Sequence, residues 1–274
     1  MLSSTLGFTS ASGSVSASDA EAADLSTLTT GQWVLAAGLA SVIIAVHILA
    51  PVLAKVSAAN QDRLASLGGG VAVAYVFVQL LPELAAGGDT LSDTAINDYA
   101  PTPLVEAGLF LVALVGAILF YSIDVISTER STRRVDLYWV HLSAFGAISA
   151  IYAYTMPFLL TTGVGYALLF TVAIGAHVLL GDRTLARAHP LLFRHEDRWV
   201  GIVGVVLGFS AAIVLPPASD LVLASATAVL GGGLLITTFR EELPQASKAR
   251  LVWFLVGALV MTALLIAGIV TGDG

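Results

Sequence analysis

The sequence predicts an all-α, polytopic membrane protein of eight transmembrane helices, on three observations. Of its 274 residues, 57% are hydrophobic and 11% charged, whereas a soluble domain carries roughly 25% charged residues. The apolar residues form long runs without two-residue alternation, the pattern of membrane helices and not of a barrel. The twelve Lys and Arg residues fall only in every second interval between those runs.

The runs give eight spans: 33–54, 68–84, 103–126, 137–158, 162–181, 199–216, 221–239 and 251–271. Lys55 and Arg63 separate spans 1 and 2; Arg130, Arg133 and Arg134 separate spans 3 and 4. Arg183, Arg187, Arg194 and Arg198 lie between spans 5 and 6, and Arg240, Lys248 and Arg250 between 7 and 8. The positive-inside rule makes these intervals cytoplasmic and puts both termini outside. Trp33, Trp139, Trp199 and Trp253 stand near span ends, as an interfacial aromatic belt requires. Residues 1–30 are rich in Ser, Thr and Ala and lack the basic and apolar regions of a signal peptide. They read as a disordered extracytoplasmic tail, with 31–274 as the membrane domain. Arginine in excess of lysine, abundant acids and an Ala/Val/Gly-rich alphabet suit a high-GC prokaryotic proteome. The location expected is the cell membrane, and the partners expected are lipid and a second copy of the chain, not nucleic acid.

Spans 2 and 7 share a pattern. One contains Leu-Gly-Gly-Gly at 67–70 and Leu-Leu-Pro-Glu at 80–83; the other contains Leu-Gly-Gly-Gly at 230–233 and Glu-Glu-Leu-Pro-Gln at 241–245. The topology sends these spans in opposite directions. That is the trace of an inverted repeat, although glycine-rich helix packing also recurs without one.

Ionisable groups within a bilayer normally face a bundle interior or a water-filled path. His47 lies in span 1, Gln79 and Glu83 in span 2, His141 in span 4 and His177 in span 5. At ~1.5 Å per residue, His141 and His177 lie roughly 6 Å, and His47 roughly 10 Å, from the cytoplasmic boundary. Three imidazoles at similar depth either line one cavity suited to zinc or bond separately to neighbouring helices. Glu83, beside Pro82, is either a cation-recruiting group at the outer mouth or a solvated helix-end carboxylate. Arg240, Glu241 and Glu242 are either an inner gate or ion pair, or the solvated end of span 7. No nucleophile elbow, P-loop, dinucleotide fingerprint or H-E-x-x-H motif is present. His141 and Ser143, two residues apart, do not share a helix face. No enzymatic activity is therefore expected.

The arrangement resembles the ZIP family of divalent metal transporters. Gln-Leu-Leu-Pro-Glu at 79–83 is similar to that family's helix-2 ending, and Glu-Glu-Leu-Pro at 241–244 to its helix-7 segment. The family's helix-4 motif H-N-x-x-D-G corresponds to His141-Leu142-Ser143-Ala144-Phe145-Gly146. Histidine and glycine match, while Leu142 and Phe145 replace the Asn and Asp ligands. On helix 5 the family has H-E-x-P-H-E-x-x-D. Setting its second histidine on His177 puts Ala173, Ile174, Ala176 and Val178 at other motif positions, with Asp182 one residue late. The resemblance implies eight helices, an inverted repeat of helices 1–3 and 6–8 around 4–5, and alternating access. It also implies divalent metal, zinc by default, as substrate and not as resident cofactor. The usual binuclear site cannot form, leaving His141 and His177 as central contacts, His47 as a secondary one, and Gln79 and Glu83 at the entrance. The competing expectation is a non-transporting scaffold or sensor that keeps the fold.

Overall fold

The computed structural model describes residues 28–53, 58–92, 107–128, 134–188, 198–215, 217, 220–243 and 247–270. Among them are eight helical rods: α1 (Thr30–Leu53), α2 (58–92), α3 (Gly108–Thr128), α4 (Arg134–Thr162), α5 (Val164–Ala188), α6 (Arg198–Val214), α7 (220–242) and α8 (Leu251–Val270). Seven are long and apolar enough to cross a bilayer; α6, with 17 residues, is shorter and also apolar. No strand occurs among the described residues. The all-helical class and the multi-pass character expected from sequence hold. The predicted tail, except for its last residues, and parts of the loops carrying the cations lie outside the described residues.

Three rods depart from the expected spans. The second runs from 58 to 92, well beyond the predicted 68–84, because an amphiphilic segment, Asn-Gln-Asp-Arg at 60–63, extends it. The fourth and fifth are separated only by Gly163, whose N–H donates to the carbonyl of Leu159. At the start of α1, Thr29 and Gln32 form a reciprocal cap. The Gln32 N–H donates to the Thr29 hydroxyl (3.3 Å), and the Thr29 N–H to Gln32 Oε1 (2.8 Å), satisfying orphan donors of the first turn.

Neighbouring contacts give the helix directions. Going along α1 from Trp33 to His47, its partners on α6 go backwards from Phe209 to Gly201, so the two are antiparallel. Gly204 and Gly208 of α6 meet Gly146 and Ala150 of α4 in order, so those two are parallel. Likewise α2 runs parallel to α8, with Ser66 at Arg250 and Gly70 at Phe254 and Ala258. The α3 and α7 rods are parallel too, Gly232 meeting Ala113 and Arg240 meeting Asp124. Pairs an even number of helices apart thus run together.

Glycines set three seams where backbones touch. A side chain on Gly70 would strike the carbonyl of Phe254, and one on Gly257 that of Leu67, closing α2 on α8. A side chain on Gly232 would strike the carbonyl of Ala113, and one on Gly116 that of Val229, closing α3 on α7. Gly204 and Gly208 bring α6 equally close to α4. In lipid, where apolar burial gives helices no advantage over the tails, such close backbone packing supplies much of the association.

The α2 and α7 rods each contain one π-helical turn, Val76–Leu80 and Thr238–Glu242. The Leu81 N–H donates to the Val76 carbonyl, and the Leu243 N–H to that of Thr238. Each turn inserts one residue into the helix. Phe77 and Phe239, one from each turn, meet edge to face with centroids 6.3 Å apart.

Candidate functional site

The polar residues singled out in the sequence separate into three places. His47 is fully buried where α1, α4 and α6 meet. Its Nε2 lies 3.1 Å from the Tyr152 hydroxyl. Its ring stands edge-on to Phe145, with centroids 5.6 Å apart. Gly201 leaves room for the ring, since a side chain there would run into both His47 and Phe145. A metal at Nε2 would have to displace Tyr152, so this nitrogen is committed to packing α1 against α4. His177 is buried on α5 beside the fully buried Ile174 and Val178. The backbone of His141 belongs to α4, but its side chain lies outside the described residues, as do those of Glu241 and Glu242. Among the described residues, no three His, Asp or Glu side chains gather to hold a metal.

The positions at which the ZIP resemblance would put metal ligands are apolar and enclosed. Leu142 is 1% exposed, and Ala173, Ile174 and Val178 are buried in the central core. Phe145 occupies its position with a ring packed on His47. Burying a dehydrated divalent ion among such groups would leave its charge uncompensated.

The second place is at the far end of α7. Arg240 Nη1 lies 2.8 Å from Asp124 Oδ2 on α3, and its guanidinium lies 4.7 Å from the Tyr121 ring centroid. Arg240 thus pairs with α3, while the expected grouping with Glu241 and Glu242 falls on side chains outside the described residues. The pair is partly exposed.

The third place is a crevice between α2, α4, α5 and α7. Tyr75, Glu83, Thr155, Thr227, Leu80 and Phe170 are among its lining residues. It encloses about 280 Å³ including its open side, with room at its centre for about one water-sized body. Tyr75 and Thr155 are almost fully buried; the Thr155 hydroxyl donates to the Tyr152 carbonyl (3.2 Å), leaving its oxygen lone pairs free to accept. Nearby in sequence, Gln79 is 6% exposed, and among the described residues neither its amide oxygen nor its nitrogen has a hydrogen-bond partner. A buried amide left unpaired costs on the order of 1–3 kcal/mol. In membrane helices such a group marks a hydrated or ligand-bearing path.

The π turn of α2 builds this crevice. Tyr75 and Glu83 are eight residues apart. In a regular helix, at ~100° per residue, they would diverge by ~80°. One inserted residue takes up ~100°, bringing them within ~20° of the same face. Pro82 has no N–H to donate, and the Leu81 N–H is diverted to Val76. At least one carbonyl of Phe77 and Val78 is therefore left without its α-helical donor. Sequence reasoning found Glu83 and Gln79 but missed Tyr75, Thr155 and Thr227. Pro82 was the available sign of an irregular turn, yet nothing in the sequence specifies a π turn. No protein-family model matches the sequence, and no curated protein matches it.

Proposed function

We propose that this chain is a ZIP-like membrane transporter with an altered metal site, carrying a cation by alternating access, with both termini outside. The observation that carries the reading is the shared register of α2 and α7. Gly70 and Gly232, Val76 and Thr238, Phe77 and Phe239, and Pro82 and Pro244 are each 162 residues apart. In the seam partners, Ala113 and Phe254, and Gly116 and Gly257, are each 141 apart. Contacts between α2 and α8 are thus repeated between α7 and α3, and Phe77 meets its own counterpart. An inverted repeat with its axis between α2 and α7 accounts for all of these. The packing register replaces the Leu-Gly-Gly-Gly match in the sequence, which is offset by one further residue.

The seams also bear on how access would alternate. With α4 locked to α6 by Gly204 and Gly208, helices 4 and 5 cannot rock as a unit of their own. Motion belongs at boundaries without backbone contact, with α2–α8, α3–α7 and α4–α6 moving as closed pairs. Divalent metal remains the first cargo to test, with His177 and His141 the remaining ligands of the family pattern. The apolar packing of Phe145, Ala173, Ile174 and Val178 favours a second reading, a scaffold or sensor that keeps the fold without transport.

Uptake by proteoliposomes of zinc, manganese and a panel of monovalent cations separates these readings. The transporter reading expects saturable uptake of at least one cation. Zinc or manganese uptake that survives His141→Ala together with His177→Ala eliminates the histidine site, and no flux across the whole panel eliminates the carrier.

A further inference from the structure

We infer that the crevice between α2, α4, α5 and α7 binds one hard monovalent cation of the alkali-metal class, with Glu83 supplying the charge and Tyr75, Thr155 and Thr227 the oxygen ligands. This deepens the transporter reading by naming the ion whose binding would be coupled to it.

The lining decides the class of ion. It contains no histidine, so borderline metals such as zinc find no preferred donor there. Its polar residues are Glu83, Tyr75, Thr155 and Thr227, set among apolar neighbours, and the donors they carry are all hard oxygens. Calcium is usually held by several carboxylates, and magnesium keeps much of its water. One carboxylate and water-sized room suit a single positive charge. Among the described residues no Lys, Arg or His is paired with Glu83, so no protein cation occupies its carboxylate. The carboxylate also lies within the apolar rod 60–86, between buried Leu80 and Leu84.

The test uses the full chain in lipid nanodiscs and reads the unfolding temperature as sodium chloride replaces choline chloride at constant ionic strength. Sodium is expected to raise the midpoint with the logarithm of its concentration above Kd, by roughly 5–10 °C at a hundredfold excess. Glu83→Gln should keep a cooperative transition in choline and lose the sodium response. Thr155→Val with Thr227→Val should move the sodium concentration that gives a fixed rise in midpoint upward by about tenfold or more, an estimate from losing two oxygen ligands. An equal sodium response in Glu83→Gln, or none in the wild type, overturns the site. A larger shift with magnesium or calcium than with sodium overturns the monovalent assignment. If Glu83→Gln does not fold, sodium protection of a Leu159→Cys thiol from maleimide, at a lining position that is not a ligand, replaces it, and unprotected labelling overturns the site. A sodium response without any cation flux would keep the site and remove the carrier.

Discussion

Single side chains here matter through what they exclude as much as through what they bind. Gly201 is the clearest case, because its missing side chain is the space in which His47 and Phe145 pack. Gly201→Ala should lower the unfolding temperature by several degrees, following the typical 1–3 kcal/mol cost of overpacking. An unchanged midpoint in a detergent-solubilised thermal scan would contradict the packing described. Ser66 ties two rods by one hydroxyl, donating to the Asp62 carbonyl (2.8 Å) and accepting from the Arg250 N–H (2.9 Å) at the start of α8. Ser66→Ala therefore removes a cap and should cost about 1 kcal/mol, read as a lower unfolding midpoint. Ser66→Thr, which keeps the hydroxyl, is the comparison. Sequence reasoning identified the intramembrane histidines and Glu83 from the cost of burying them, but not their partners. Tyr152 and Tyr75 look in sequence like any aromatic residues of an apolar run, and only packing assigns them to His47 and the crevice.

At the scale of the element, the π turns are the informative feature. Deleting Val78 should return α2 to regular α-helix and turn Glu83 by ~100° away from Tyr75. The expected outcome is a folded, monodisperse protein by size-exclusion chromatography that no longer responds to sodium. A retained response would show that the inserted residue does not set the crevice. The seams make a separate prediction. Gly70→Leu or Gly232→Leu pushes two backbones apart and should sharply reduce the yield of folded protein, whereas Gly38→Leu, whose position opens on no neighbour, should not. Helix existence was legible in the sequence because apolar runs and loop charges repeat with the bilayer's own period. Helix irregularity was not, because a π turn is fixed by the competition of hydrogen bonds among Val76, Leu81 and Pro82 and leaves no period in composition. The matched glycines were visible, but a run of three left their register ambiguous by one residue until the partner carbonyls of Ala113 and Phe254 resolved it.

At the scale of the whole molecule, the two halves of the proposed repeat differ where chemistry is concentrated. In the packing register, Gln79 corresponds to Glu241 and Glu83 to Gln245, so an amide and a carboxylate exchange places between α2 and the α7 end. Arg240 corresponds to Val78, and Asp124 to Leu265. One end of the bundle thus carries an ion pair where the other carries apolar side chains. The orientation itself is testable because the chain has no cysteine. Asp98→Cys should react with a membrane-impermeant maleimide in intact cells, and Lys248→Cys only after permeabilisation. The reverse pattern would invert the proposed topology. The α3 and α8 rods, with Leu114, Val115, Ile118, Leu259, Val260 and Leu264 exposed, present broad apolar faces to lipid.

The α2–α8 seam has a consequence for how the protein is made. Leu67 and Gly257, which touch in the finished bundle, are 190 residues apart in the chain. At about 5–20 residues per second, the glycine face of α2 leaves the ribosome roughly 10–40 s before its partner exists. For that interval Gly70 and the Leu67 carbonyl must lie against lipid or a surrogate helix. A chain released before residue 251 would therefore carry a bare backbone groove into the membrane, and quality-control proteases should meet it as unfinished.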